Sequence, residues 1–254
     1  MPVKLNGATS GSVTITAPAV AGTNTLTLPA VTDTLVGLAA TQTLTNKTLS
    51  SPTITGTPVG LSGMLIRAPQ VLTSGTSYTT PANCTAIYVE ALGAGGSGGR
   101  ASNSTGLVTG GGGGGYVKKY FTVSASTAYS YAIGAGGAGR TTNAVPGLVG
   151  GDTTFTVGAT TITAGGGAGG IHGTATSAAG GTATNGDLNV VGERSPSIGT
   201  ASDLNCRAGA GSIYGCGGRH GSINAQEYGS GGAATETSTS GTGSAGIIII
   251  SEYS

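Results

Sequence analysis

Thr85-Ala-Ile-Tyr-Val-Glu-Ala-Leu-Gly-Ala-Gly-Gly96 changes its character at Gly93. Ile87, Val89 and Ala91 recur at a spacing of two, the period of a half-buried strand, and the chain then runs straight into glycine. The same alternation marks expected strands at 116–124, where Val117, Phe121 and Val123 share a face interrupted by Lys119, and at 127–133, where Tyr129, Tyr131 and Ile133 do. Further strands are expected at 64–73, 85–92, 153–157, 160–164 and 246–253. Residues 247–250 are four isoleucines, apolar on both faces, which suits a central strand covered on each side. No stretch carries a helical period. The reading is an all-β chain whose residues 61–254 form a two-sheet β-sandwich with long glycine-rich loops.

Glycine supplies 51 of the 254 residues. Its blocks at 93–99, 110–115, 134–139 and 165–170, and the long tract 173–244, each follow or precede a strand, so they lie between strands and not in a tail. Ordering a backbone costs roughly 1–2 kcal/mol per residue, and most for glycine, so something systematic must order such loops. Chains without Cβ atoms can lie side by side and satisfy their amides against one another, as around the collagen axis. No collagen Gly-X-Y repeat is present. The path of 173–244 is not legible in the sequence.

Composition shifts near Gly60. Before it, Thr, Pro and small apolar residues dominate, and Pro2, Pro18, Pro29, Pro52 and Pro58 impose extended pieces and turns. Within Thr41-Gln-Thr-Leu-Thr-Asn-Lys-Thr-Leu-Ser-Ser-Pro-Thr-Ile-Thr-Gly56, the apolar residues Leu44, Leu49 and Ile54 are too sparse to bury a core in one molecule. Three intertwined copies would bury them, so these residues are the expected trimer core. This wording resembles the shaft and attachment segments of bacteriophage tail fibres. The expected division is therefore 1–60, an extended segment for tail attachment and trimerisation, and 61–254, the sandwich knob.

Charged residues are 7% of the chain and the net charge is +1, so clustered basic side chains that would hold nucleic acid or an anionic membrane are missing. The first residues lack a continuous apolar stretch and the run 245–250 is too short to span a bilayer, so no membrane insertion is expected. The expectation is synthesis in the host bacterial cytoplasm and release within a virion. Cys84, Cys206 and Cys216 leave at least one thiol unpaired and are read as small buried thiols.

A second likeness rests on Ser77-Tyr-Thr-Thr-Pro81, on 85–96, on the glycines before Tyr116-Val-Lys-Lys-Tyr-Phe-Thr-Val123, on 127–139, and on the closing Ala245-Gly-Ile-Ile-Ile-Ile-Ser-Glu-Tyr253. This ordered series resembles the glycine-rich C-terminal domain of phage tail fibres. The resemblance implies a homotrimeric distal knob held to a tail or baseplate protein by its N-terminal segment, with glycine loops that touch host surface polysaccharide or an outer-membrane protein. Some phage adhesins of this kind pack their loops as polyglycine-II helices; the resemblance leaves that open here.

Gly93-Ala-Gly-Gly-Ser-Gly98 and Gly134-Ala-Gly-Gly-Ala-Gly139 satisfy the dinucleotide fingerprint, yet no helix follows to hold a pyrophosphate and no acid stands about twenty residues on. No cofactor is expected. Glycoside hydrolysis needs paired carboxylates, and the acids are scattered; Asp187 with Glu193 or Asp203 could converge, which keeps a depolymerase as a competing reading. Cys206, Cys216 and His220 lack the spacing of a zinc site, so no metal is expected. The gripping residues are concentrated in the glycine loops: Arg100, Asn103, Arg140, Asn143, His172, Arg194, Arg207, Tyr214, Arg219, His220 and Tyr228. Loops on a rigid scaffold are where recognition sits, and Arg and Tyr carry much of the energy of interfaces. These are the expected receptor contacts of a non-enzymatic adhesin. A purely structural baseplate component is the other alternative.

Overall fold

A computed structural model of the protein describes residues 3–6, 8–15, 48, 50, 63–103, 106–174, 176–197, 207–219, 224–236 and 238–254. The expected trimer core, Leu44, Leu49 and Ile54, lies outside the described residues, as do Cys206, Asp203 and His220. The chain divides into two compact units, Met1–Thr55 and Gly56–Ser254. The first contains an antiparallel hairpin, β1 (Val3–Asn6) with β2 (Ser12–Ile15), closed by a turn in which Gly11 takes φ +76°.

The second unit is all-β. One sheet runs in the order β10 (Ala183–Thr184), β9 (Thr160–Ala164), β8 (Thr153–Val157), β7 (Ala128–Ala132), β4 (Ser77–Thr79). The other runs β11 (Leu188–Val190), β6 (Tyr116–Thr122), β5 (Ala86–Leu92), β12 (Ile247–Tyr253), β3 (Gln70–Leu72). Their inner faces enclose Phe155, fully buried, ringed by Tyr78, Phe121, Tyr129 and Tyr131 at 6.1–6.5 Å between ring centroids. Ile87, Val89, Val117, Ile162, Ile248 and Ile250 complete this core. The two-sheet sandwich read from the alternation is the observed fold. Lys119, which breaks the apolar face of β6, reaches Asp187 in the β10–β11 turn at 3.0 Å, so its charge leaves the core.

Some expectations are corrected. The strand expected at 64–73 is a bridge at Leu65 and the short β3, parted by Arg67, Ala68 and Pro69; the proline has no amide to give the ladder. Cys84 is buried, and burial pushes its thiol up, but Cys216 is exposed, its side chain turned out from a segment whose next two glycines are buried. β4, β10 and β11 are additional strands.

The glycine blocks are ordered rods. The ladder of β5 and β6 ends at the pair Leu92↔Tyr116, and Gly93 donates to Gly115. Beyond that point the bonding period changes from two to three. Gly96 and Gly99 donate to Gly112 and Thr109; Ala94, Ser97 and Arg100 donate to Gly151, Leu148 and Val145; Gly95 and Gly98 donate to Ser244 and Gly241, all at 2.9–3.1 Å. A backbone whose amides point in three directions, returning every third residue, is the threefold left-handed polyproline-II-type helix. These are polyglycine-II rods, and neighbours at 108–115, 145–151 and 240–246 surround the rod 93–100. The rods 165–171, 178–182 and 229–235 add to the array by the same bonds.

Glycine is required because the rods touch backbone to backbone. A Cβ on Gly112 would meet the Ala179 carbonyl oxygen at 2.0 Å, where nothing flexible can give way. Ala94 and Ser97, one residue in three, carry the only Cβ atoms of 93–99. The Gly-x-Gly-Gly-x-Gly runs are this screw, not a nucleotide fingerprint.

At the opposite end of the sandwich, residues 63–67 strap onto β12. Gly63 and Ile66 donate to the Ser254 and Glu252 carbonyls, and Arg67 clasps the buried Glu252 carboxylate with bonds of 2.6 and 2.7 Å. Tyr78 also donates to Glu252. Burial, and then this bond to a carboxylate, raise the Tyr78 phenol above its ordinary value. A folded-state value above the unfolded one means that its contribution is whole below about pH 10 and is lost as the pH rises beyond it.

Two outcomes follow. Gly112→Ala should lower stability by about 3 kcal/mol or more through overpacking, whereas Gly173→Ala, at φ +82° with open space around it, should cost on the order of 1 kcal/mol; thermal melting distinguishes them. Denaturant unfolding above about pH 10 should fall less steeply with pH in Tyr78→Phe than in the wild type, by up to about 1.4 kcal/mol per pH unit.

Candidate functional site

Strand polarity decides where the loops lie. β5, β7, β9 and β11 lead into rods, and β6, β8, β10 and β12 receive them, all at one end of the sandwich. The rods therefore run away and return, and their far turns collect at a single tip. There Arg100 and Val145 bond each other through both backbone pairs, Ala101 donates to the Thr235 carbonyl, Gly173 to that of Leu107, and Ser240 to that of Arg140. Ala101, Val108 and Ala234 form a small apolar plug beneath these turns.

This tip gathers Arg100, Asn103, Arg140, Asn143 and His172. Asn103 and Asn143 are exposed, and His172 is half-buried, its backbone bridged to Val108. The Arg100 guanidinium donates to the Thr141 carbonyl, next in sequence to Arg140. Arg140 is fixed through its own backbone to Ser240, its Nε is enclosed, and that nitrogen has no hydrogen-bond partner. The Arg100 side chain is thus held against the turn that Arg140 opens. Ser238 and Thr239 add exposed hydroxyls to the tip; the sequence reading, weighted toward charged and aromatic groups, passed them over.

Arg207 also starts at the tip but turns inward. Only 2% of its side chain is exposed, it pairs with Glu236, and burial pushes its guanidinium below its ordinary value. Its geometry is that of an anchor for the 235–240 turn. The remaining expected contacts are elsewhere. Arg194 lies exposed on the short rod 192–195 and Arg219 at the end of the rod 215–218. Tyr214 sits in the turn bridged by Ser212 and Gly215, and Ser212 Oγ donates to the Tyr228 carbonyl at 2.6 Å. Gly229 bonds Ala245, close to the start of β12, so both tyrosines belong to the sandwich end of the rods. His220 is outside the described residues.

The acids have structural partners. Asp187 accepts from the Tyr120 amide and from Lys119, bonds that lower its carboxyl below the usual value, and Glu193 accepts from the Gly211 amide at 2.7 Å. Among the described residues no cluster of three or more His, Cys, Asp or Glu could hold a metal ion, and no helix is long and apolar enough to cross a membrane.

A strand-and-rod architecture with this composition has a family. The chain belongs to the glycine-rich domain family, whose model matches residues 71–253, from β3 to the last residue of β12. No curated protein matches the chain.

Arg207→Met should destabilise the protein by about 2 kcal/mol, less than for a wholly buried pair because Glu236 keeps contact with water. Arg140→Ala should change stability by less than about 0.5 kcal/mol. Melting temperatures of the two variants test this assignment of anchor and surface.

Proposed function

We propose that this protein is a bacteriophage tail-fibre component that adheres to the host cell surface through the tip of its glycine rods. Residues 1–60 attach it to a tail or baseplate protein and entwine three copies. The knob binds surface polysaccharide or an outer-membrane protein without cleaving it, and the protein is made in the bacterial cytoplasm and carried on the virion. The observation that supports this reading is the array of rods, which holds several turns in fixed relation and presents Arg100, Asn103, Arg140, Asn143 and His172 at one end.

The chemistry suits a glycan. Guanidinium groups pair bidentately with phosphate or carboxylate, and amides and hydroxyls match sugar hydroxyls. Because the rods fix the turns before contact, little ordering is left to oppose binding. Three tips on one fibre, and several fibres on one particle, multiply a weak contact.

Labelled full-length protein should bind host cells and block infection by the parent phage. Joint replacement Arg140→Ala and Asn143→Ala should weaken binding at least tenfold with folding intact. Binding unchanged by that pair would remove the tip from the account, and a folded protein that binds no host cell would favour a structural baseplate role. Release of reducing sugar from host polysaccharide would favour a depolymerase.

A further inference from the structure

The two sheets differ on their outer faces. Outside the β10-β9-β8-β7-β4 sheet stand Ser130, Thr154, Thr156, Thr161 and Thr163, a carpet of hydroxyls suited to water. Outside the other sheet stand Val71, Tyr88, Tyr120, Val190, Ile249 and Tyr253. Val71 is 57% exposed, Tyr120 48% and Val190 39%, and they belong to three different strands of that sheet. Apolar side chains spread across a sheet face in this way mark a surface that is covered in the working assembly.

We propose that this outer face of the β11-β6-β5-β12-β3 sheet is where copies of this chain pack against one another. The proposal deepens the trimeric reading above and rests on it, by naming the face of the knob that faces the other subunits. A second copy is favoured over an unlike partner by the shape and charge of the face itself. It carries a cleft of about 370 Å³ lined by Thr85, Tyr88, Tyr120 and Tyr253, and it carries a projecting apolar residue, Val71, on its edge strand. One chain thus holds both a recess and a knob, as a ring built from head-to-tail contacts requires. Its charged side chains on β5 and β6, Glu90 and Lys118, pair at 3.4 Å, and Lys118 also lies 4.8 Å from the centre of the Tyr88 ring. The face therefore offers no net charge to select a charged ligand. Toward the rods the chain itself covers this face, burying Leu92, Tyr116 and Ile247, so the part left open for a second copy is the half that runs from Tyr88 and Tyr120 to Val71 and Tyr253.

The test uses the full-length chain with a photoreactive benzophenone amino acid at position 120, at position 71, or, on the other sheet, at position 156. After irradiation at micromolar concentration, denaturing gels should show covalent dimers and trimers from positions 120 and 71, at least tenfold above those from 156. Equal multimers from 156, or none from 120 and 71, would overturn the proposal. So would a product of monomer mass joined to residues 1–62 of the same chain, because the face would then be covered by its own leading segment. Host-cell binding measured on the same samples separates this result from the adhesive reading: loss of the cross-links with binding retained removes the interface and leaves the tip.

Discussion

The structure depends on amide–carbonyl bonds between backbones that carry no side chains. In a sandwich of this size the hydrophobic core would ordinarily set the limit of order, and here the order continues beyond it. Rod 93–100 is buried along 93–99, as is 108–115, yet little apolar side chain lies between them. What closes the interior is contact between peptide groups, joined by bonds such as those from Gly96 to Gly112 and from Gly111 to Gly232. Removing the Cβ makes the contact close enough, and the same removal makes each residue expensive to order, so the rods form only where many are bonded at once.

The sandwich supplies that starting order. Leu92↔Tyr116 and Thr153↔Ala164 are the last pairs of their ladders before glycine begins, and they deliver the rods in register. Leu92, Tyr116 and Ile247 form a separate apolar cluster at this junction, with Ile249 packed against it. Side-chain burial fixes the positions of the strand ends, and hydrogen bonds carry those positions outward to the tip. The strap at 63–67 and the Glu252 clasp secure the other end.

Much of this architecture was legible in the residues. Strands at 153–157 and 160–164 follow from alternation alone, and the isoleucines of β12 announce cover on both faces. β10 and β11 were not legible: the first is two residues, with only Ala183 turned to the core, and Leu188–Val190 is exposed throughout, so neither creates a period. That Arg100, Arg140 and His172 stand at the far ends of rods was legible, because each stands just past a glycine block. Arg207 instead precedes its glycines, in Asn205-Cys-Arg-Ala-Gly209, and its inward turn was not legible because its partner Glu236 lies far along the chain. The place of Tyr214 and Tyr228 was not legible either, since rods that double back return part of a loop to the sandwich.

The threefold screw also governs how such a protein can change length. An insertion of one residue in a rod turns everything beyond it by a third of a revolution and points its amides at the wrong neighbours, whereas three residues restore the pattern. The turns at the tip are under no such rule, because they close rods without joining their lattice. Lineages derived from this chain would therefore keep rod lengths in steps of three while varying tip turns freely, a division of labour that lets the turns diversify over an unaltered frame.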